Sequence, residues 1–282
     1  MAHHHKDPSQ PAPERSLPEG VKHIVAVGAG KGGVGKSTVA VNLAVALAQQ
    51  GLKIGLLDAD VYGPNLPQML GAAGYVPQMG PDGKIEPASA HGVKLMSMGF
   101  LLDPESPVIW RGPLLHGAMN QFLKDVRWGE LDCLVVDLPP GTGDVQISIG
   151  QIVPLSGAVI VTTPQNIALL DVMKAAQMFN KLDVPIWGVI ENMAEFVCPH
   201  CRKASRIFSS GGARKFSEKY GVPLLGEIPL DGVVCAAAEA GTPACVAQPE
   251  SAPARALRAA AKHVASRLSA KPKTDDVKQH GG

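Results

Sequence analysis

The stretch Gly30-Lys-Gly-Gly-Val-Gly-Lys-Ser-Thr38 decides the fold that this sequence predicts. A short apolar run, His23–Gly28, comes before it, and a run without Pro or Gly, Ser37–Gln50, comes after it. The first run is typical of a buried strand, and the second, rich in Ala, Leu and Val, is typical of a helix packed on a sheet. The loop between them satisfies the pattern G-x-x-x-x-G-K-[ST], with its fixed positions at Gly30, Gly35, Lys36 and Ser37.

A loop of this kind is suited to binding a nucleotide triphosphate. Its glycines let successive backbone N–H groups turn inward toward phosphate oxygens, and a helix that begins near Ser37 adds the positive end of its dipole. We expect Lys36 to reach the β- and γ-phosphates and the Ser37 hydroxyl to ligate Mg²⁺. The predicted ATP contacts in the loop are Gly30, Lys31, Gly32, Gly33, Val34, Gly35, Lys36, Ser37 and Thr38.

Carboxylates end two further apolar runs of the kind that forms buried strands. Asp58 ends the run that starts at Lys53, with Asp60 just beyond it, and Asp137 ends the run that starts at Asp132. Since ligands of open parallel sheets bind at the carboxyl ends of the strands, we expect these carboxylates to face the loop. The predicted magnesium residues are Ser37, Asp58 and Asp137. The alternative for Asp58 and Asp60 is that they only cap a strand–loop junction.

The stretch after Asp137, Leu138-Pro-Pro-Gly-Thr-Gly-Asp144, completes a Walker B pattern. In that pattern a carboxylate on a buried strand lies near Mg²⁺. The Gly-rich stretch resembles a switch II segment, whose backbone senses the γ-phosphate. A hydrophobic run that ends in Asp is weak evidence by itself, but it becomes strong when it follows a phosphate loop at this distance.

Strand-like and helix-like runs alternate along the rest of the chain. Strands are predicted at Ala158–Thr162 and Ile186–Ile190, and helices at Leu114–Val126, Leu169–Phe179 and Leu257–Leu268. Residues 61–92 are crowded with Pro and Gly and are predicted to be loop. Hydrophobic residues are 45% of the chain and aromatic residues only 4%, so the core must be mainly aliphatic. We therefore predict an α/β fold with a doubly wound, mostly parallel sheet and helices on both faces.

One domain is predicted for residues 21–270, between polar tails at 1–20 and 271–282 that are predicted to be disordered. Lys and Arg number 26 against 25 Asp and Glu, without a basic patch, so the charge gives no reason to expect nucleic acid as a partner. The apolar runs are too short to cross a bilayer and no signal peptide is recognisable, so we expect a cytoplasmic protein that does not use a membrane. Five cysteines, an odd number, fit a reducing compartment.

Cys198-Pro-His-Cys201 is the second feature with chemical content. Its two thiolates can chelate one metal centre, but a tetrahedral zinc site or a cubane iron–sulfur site needs four ligands. No second C-x-x-C occurs in the chain, so two copies that meet at their cysteine pairs would complete the site. A zinc ion shared between copies, a redox-active dithiol and two structural thiols remain open alternatives. The residues not expected to be ligands are Cys133, His200, Cys235 and Cys245.

The run Lys31–Ser37 resembles the deviant Walker A motif. That class includes the Mrp/ApbC iron–sulfur carriers, the MinD and ParA partition ATPases, and nitrogenase iron protein. Its signature lysine reaches across a dimer, so the resemblance implies that Lys31 contacts the partner's nucleotide in an ATP-linked homodimer. It also implies that Asp60 positions the attacking water and that Asn192 reads the adenine base, with a turn-forming Asn as the alternative. The implied catalytic residues are Lys31, Lys36 and Asp60.

Several segments between about Val21 and Leu268 resemble the Mrp/ApbC family in particular. They are Asp60–Pro64, Trp110–Gly112, Thr163–Gln165, Asn192-Met193, Cys198 with Cys201, Ile207-Phe208 and Gly211-Gly212. The resemblance implies an ATP-hydrolysing carrier with a 4Fe-4S cluster that bridges two subunits and passes to apo-proteins. The cysteine pair is not shared by MinD-like and ParA-like relatives, so it separates the two groups.

The alternative function is a MinD-like or ParA-like positioning switch that acts on a membrane or on DNA. A membrane anchor of that kind is an amphipathic helix with bulky apolar residues on one face and basic residues on the other. The last predicted helix, around Arg255–Leu268, is rich in Ala instead. This composition favours the carrier over the switch.

Overall fold

A mostly parallel β-sheet is the framework of the molecule. The computed structural model describes residues 15–61, 63–101, 112–198, 200–201, 203–208 and 211–270. The strands are β1 Ile24–Gly28, β2 Ile54–Asp58, β3 Ala88–Ala90, β4 Val93–Ser97, β5 Cys133–Asp137, β6 Gly157–Thr162, β7 Ile186–Val197, β8 Ala204–Ser205 and β9 Leu224–Leu230. Their order is β3-β4-β2-β5-β1-β6-β7-β8, with β9 also paired to β7. Among these strands, β3 on β4 and β8 on β7 are the antiparallel pairs.

Helices connect the parallel strands, as right-handed crossovers require. They are α1 Lys36–Ala48, α2 Leu66–Met69, α3 Gly112–Lys124, α4 Asp144–Ile152, α5 Asn166–Lys181, α6 Gly212–Tyr220, α7 Gly232–Glu239, α8 Ala244–Ala247 and α9 Ala252–Ser269. A short 3₁₀ turn, Met98–Phe100, follows β4.

Two apolar cores lie on the two faces of the sheet. One contains Phe122 of α3, Phe179 of α5 and Phe216 of α6, and the other contains Leu43 of α1 and Leu257 of α9. Every residue of the central strands β1, β2, β5 and β6 is buried, because both faces of these strands are covered. The predicted doubly wound α/β fold is thus confirmed.

The strand register brings the predicted carboxylates to one edge of the sheet. Asp58 at the end of β2 pairs with Asp137 at the end of β5, and Asp137 also pairs with Val27 of β1. Since these strands are parallel, the loop that follows β1 leaves the sheet at the same edge as both carboxylates, next to Asp137 on β5 and one strand away from Asp58 on β2. The order β2-β5-β1 therefore assembles the site from three segments that are far apart in the sequence.

Most predicted elements occur within two or three residues of their predicted bounds, but some elements were missed. Residues 61–92 are mainly loop as predicted, with α2 and β3 as short exceptions. Strand β7 continues to Val197, so Asn192 lies inside the strand. The prediction from the sequence, which placed Asn192 just past the end of the strand, was wrong. Beyond α2 and β3, the elements that sequence reasoning did not find are β4, α4, β8, α6, β9, α7 and α8, which are short or interrupted by Gly, Pro or charged residues.

Some expectations concern residues outside the described part of the chain. These are most of the predicted N-terminal tail, the C-terminal tail, and Trp110 with Arg111. In the described part, no helix combines the length and the apolar character that a membrane span requires.

Candidate functional site

The loop between β1 and α1 has the backbone shape that its glycines predict. Gly33 and Gly35 have φ values of 76° and 79°, in the left-handed region that glycine adopts without strain. Gly35 is the N-cap of α1 and no side chain caps this helix end. The first N–H groups of α1 are therefore available to an anion at the loop.

Lys36, Ser37 and Asp137 form one buried cluster at the base of the loop. The Lys36 Nζ lies 2.6 Å from Asp137 Oδ1, and the Ser37 hydroxyl donates a 2.6 Å hydrogen bond to Asp137 Oδ2. Lys36 Nζ also lies 3.2 Å from Ser37 Oγ and 3.8 Å from Asp60 Oδ2. Burial raises the pKa of Asp137, while Lys36 and Ser37 act in the opposite direction. Lys36, predicted to bind phosphate, and Ser37 and Asp137, predicted to bind Mg²⁺, thus meet within hydrogen-bonding distance. Asp58, also predicted for Mg²⁺, makes its hydrogen bonds elsewhere.

Asp58 is completely buried, and its carboxylate holds the segment that carries Asp60. Its Oδ1 accepts a hydrogen bond from the Asp60 N–H, and its Oδ2 accepts from the Ser97 hydroxyl at 2.9 Å and the Leu66 N–H at 3.3 Å. Ser97, at the end of β4, was not found from the sequence because no motif marks it. Desolvation, with repulsion from Asp137, raises the pKa of Asp58 to about 7.

The raised pKa of Asp58 predicts how stability depends on pH. The carboxyl group titrates near 3.8 in an unfolded chain and near 7 in the folded protein, so between these values the folded protein holds a proton that the unfolded chain has released. Stability from this group therefore falls as the pH rises through that window. In Asp58→Asn, the free energy of unfolding should decline less steeply than in the wild type, by up to about 1.4 kcal/mol per pH unit.

Urea unfolding of the ligand-free protein at several pH values measures this difference. Asp125→Asn, which removes one exposed carboxylate, is the matched control and should follow the wild-type curve. Parallel curves for Asp58→Asn and the wild type would contradict the assignment.

A cleft of about 420 Å³ opens over the loop. The loop residues that line it are Lys31, Gly32, Gly33, Gly35, Lys36, Ser37 and Thr38, and Asp60 and Pro140 lie beside them. Its other wall consists of Asn65, Gln68 and Met69 around α2, and Ala238 and Glu239 at the end of α7. Sequence reasoning missed this wall, because it depends on a contact between two helices that are 160 or more residues apart.

Close backbone contact joins the two helices of this wall. A Cβ on Gly241, after α7, would lie only 2.6 Å from the Gly71 Cα, after α2, and both glycines have positive φ values. The Gln68 side chain also donates to the Glu239 carbonyl at 3.1 Å. The wall is therefore a fixed structure and not two independent loops.

Three of the predicted ATP contacts, Gly30, Val34 and Asn192, do not line the cleft. Val34 is buried, and the Asn192 amide donates a 2.9 Å hydrogen bond to its carbonyl, so Asn192 supports the loop from behind. Gly30 packs against the backbone of Asp171 in α5. The contact of Asn192 with adenine remains a prediction.

The close packing of Gly30 predicts a specific destabilisation. A Cβ at this position would overlap the carbonyl group of Asp171, which belongs to a helix backbone and cannot move aside alone. We expect Gly30→Ala to lower the free energy of unfolding by about 1–3 kcal/mol. Gly32→Ala is the matched control, because the nearest atom to a Cβ there is 3.8 Å away. Equal melting temperatures for the two variants would contradict this expectation.

The cysteine pair lies in the turn of the hairpin that β7 and β8 form at one edge of the sheet. Phe196 and Val197 of β7 pair with Ser205 and Ala204 of β8, and the Cys198 N–H donates to the Lys203 carbonyl at 3.1 Å. Met193 has a positive φ of 59° at the irregularity between Asn192 and Phe196, where the pairing of β7 with β9 shifts its register.

The surroundings of the Cys198 thiol favour its thiolate form. Hydrogen bonds from the backbone N–H groups of Cys201 and His200, and from the Cys201 side chain, lower its pKa. Cys198 is half-buried and Cys201 is exposed, whereas Cys133 and Cys245 are buried. A dithiol of the thioredoxin type would open a helix, and this pair lies in a hairpin turn instead. Within the described ranges, no group of three or more His, Cys, Asp or Glu side chains is arranged to hold a metal ion.

Fold and site together define a P-loop NTPase with a deviant Walker A loop, and comparison with known proteins identifies the family. A family model described as ParA, the NUBPL iron-transfer P-loop NTPases, matches residues 20–265. The chain belongs to this family of iron-transfer P-loop NTPases.

Individual relatives and solved structures are similar to this chain. An iron-sulfur cluster carrier protein of Deinococcus radiodurans is 55% identical over 258 residues, which span 92% of this chain and 73% of that protein. A nucleotide-binding protein from Archaeoglobus fulgidus, solved in complex with ADP, has a TM-score of 0.71 and 39% identity and covers 79% of this chain and 88% of its own. The cell division ATPase MinD of Pyrococcus furiosus has a TM-score of 0.64 at 26% identity, with 86% and 98% covered.

Proposed function

We propose that this protein is an ATP-dependent iron–sulfur cluster carrier that works as a homodimer. Two copies would hold one 4Fe-4S cluster between their cysteine pairs and deliver it to apo-proteins. The observation that carries the proposal is the position of Cys198 and Cys201. They lie in an exposed hairpin turn that extends the same carboxyl edge of the sheet from which the phosphate loop emerges.

The cysteine turn fits an iron–sulfur cluster as cargo. Thiolates are the ligands that such clusters use, and the backbone N–H groups at Cys198 favour the thiolate. One chain offers two thiolates in this turn, so a second copy facing the first would provide the four that a cubane cluster needs. A turn exposed at the surface also allows a recipient protein to reach the cluster and take it.

The cleft over the loop fits ATP with Mg²⁺. The free N–H groups at the start of α1 and the Lys36 ammonium would bind the β- and γ-phosphates, and Ser37 and Asp137 would bind the metal. Asp58 would act indirectly on the metal site, because its hydrogen bonds fix the segment that positions Asp60.

Hydrolysis and dimerisation extend this assignment. Asp60, 3.8 Å from Lys36 Nζ, would orient the attacking water. Lys31 is half-buried at the rim of the cleft, where it would reach a nucleotide bound by the partner copy. ATP bound between two copies would then govern how their hairpins face each other, and so whether the cluster is held or released.

The positioning switch is the second candidate, since MinD shares the fold. Relatives named as cluster carriers are about half identical to this chain. The carrier function also gives the cysteine pair a role, which the switch does not. Sedimentation with liposomes or DNA in the presence of ATP separates the two functions. Strong ATP-dependent sedimentation would favour the switch.

Anaerobic reconstitution with iron and sulfide tests the carrier directly. We expect a brown dimer with about four irons and four sulfides for two chains. Transfer to an apo-protein that needs such a cluster should restore that protein's activity. A product that binds only zinc, or a strictly monomeric protein after metal and ATP are supplied, would overturn the proposal.

A further inference from the structure

Gln146 of α4 is a buried amide that the proposed chemistry leaves without a role. The residue is only 2% exposed, and its Nε2 donates hydrogen bonds to the Pro139 carbonyl at 2.8 Å and to the Gly141 carbonyl at 3.0 Å. Both acceptors belong to residues 138–143, the Gly-rich segment after Asp137, which we name the switch loop. Both hydrogens of one amide are thus used to hold two points of a single loop.

The switch loop lies directly against the phosphate loop. The Gly141 N–H donates to the Ala29 carbonyl at 3.1 Å, and the Leu138 N–H donates to the Val27 carbonyl at 3.0 Å. Pro140 lines the cleft, close to Gly32. The position of the switch loop therefore decides which backbone groups face a bound phosphate.

Gln146 fixes the direction of a peptide group in this loop. A trans peptide carries its C=O and the next N–H on opposite sides. Because Gln146 holds the Gly141 carbonyl toward the interior, the following N–H, that of Thr142, points to the other side of the peptide. No other type of side chain of this length supplies two donors to two carbonyls without a positive charge.

The carbonyl oxygen of the same amide is the second observation. Gln146 Oε1 is buried and has no hydrogen-bond partner among the described residues. The amide cannot be turned over to correct this, since the oxygen would then face the carbonyls of Pro139 and Gly141. Gly143 is the switch-loop residue near it, because a Cβ there would lie 3.8 Å from the oxygen. A buried acceptor without a donor is unfavourable, so a small loop movement that brings an N–H to it would be stabilised.

We propose that Gln146 is a positioning residue that sets the switch loop for a triphosphate. Its Nε2 holds the loop in the arrangement described above, and its Oε1 accepts a loop N–H when the γ-phosphate draws the loop inward. Since only the triphosphate has this phosphate, Gln146 would make the protein distinguish ATP from ADP. The inference rests on the proposed function only for the statement that the cleft binds ATP.

The test compares two substitutions with the same change of charge in one helix. Gln146→Glu replaces the donating nitrogen by an oxygen that repels both carbonyls, and Gln151→Glu changes an exposed residue of α4. Affinities for ADP and for a non-hydrolysable ATP analogue are measured by fluorescence, and kcat and KM for ATP are measured separately. We expect Gln146→Glu to keep ADP binding, to bind the ATP analogue about tenfold more weakly and to lose kcat more than it raises KM.

Each outcome decides the inference. It is supported if Gln151→Glu keeps the wild-type preference for the ATP analogue while Gln146→Glu loses it. It is overturned if folded Gln146→Glu keeps that preference, or if Gln151→Glu loses it as well. Should the variant not fold, hydrogen exchange of residues 139–143 in the wild type decides, because equal protection by ADP and the ATP analogue overturns it and stronger protection by the analogue supports it. A wild type that binds no nucleotide would overturn this inference and the proposed function together.

Discussion

Cys198→Ser should remove the cluster from the reconstituted protein. The variant loses one of two thiolates in each copy, so a cluster between two copies would keep two of four ligands, and serine is a poor ligand for iron–sulfur clusters. Iron should fall from about four to less than one per two chains, and the brown absorption should disappear. Inductively coupled plasma analysis of anaerobically reconstituted protein, together with its visible spectrum, gives the measurement.

Cys235→Ser provides the matched control for this experiment. Cys235 is also exposed, but it lies on α7 and not in the hairpin, and its thiol faces Glu239, which raises its pKa. This variant should hold as much iron as the wild type. Retention of the full iron content by Cys198→Ser would remove the hairpin from the cargo site, while loss in both variants would indicate general damage to the protein.

Lys36→Ala should nearly abolish ATP hydrolysis and leave cluster loading intact. The ammonium group is a buried cation of the phosphate loop itself, and it would stabilise charge that develops on the transferred phosphoryl group. Loss of such a group lowers kcat by about 10²–10³-fold. Release of phosphate at saturating Mg-ATP measures the loss, and iron content after reconstitution measures whether the hairpin is intact.

Lys215→Ala, a change at an exposed lysine of α6, controls for the loss of one positive charge and should hydrolyse ATP at the wild-type rate. The assignment of Lys36 would fail if its variant kept more than about a tenth of the activity. If the variant also lost iron, Lys36 would be needed for the stability of the whole molecule and not specifically for phosphate chemistry.

The features that could be predicted from the sequence are those that depend on a few residues in a local motif. The glycines and Lys36 of the phosphate loop are consecutive, and their strand–loop–helix setting follows from apolar runs on either side. Asp58 and Asp137 could be assigned to the same edge because parallel strands share a direction. The pairing of these two residues in neighbouring strands agrees with that expectation.

Features that arise from long-range packing could not be predicted. The wall of the cleft from α2 and α7, the packing of Gly30 on Asp171 and the bonds of Ser97 to Asp58 each join segments that no pattern links. Asn192 shows the limit most clearly. Its residue type and spacing suggested a base-reading side chain, but its bond to Val34 also makes it a support of the loop, and only the fold reveals this second partner.

The buried contact between Lys36 and Asp137 has a consequence for how the site is filled. The Lys36 ammonium, which is expected to bind a phosphate, already pairs with Asp137 Oδ1 at 2.6 Å. A bare triphosphate that took the lysine would leave Asp137 as a buried anion without a counterion, which is unfavourable. A triphosphate bound with its divalent cation supplies that counterion. Lys36 then pairs with the phosphate, and Asp137 pairs with the divalent cation. Nucleotide and magnesium should therefore bind together as a single ligand, and the affinity for nucleotide without magnesium should be low.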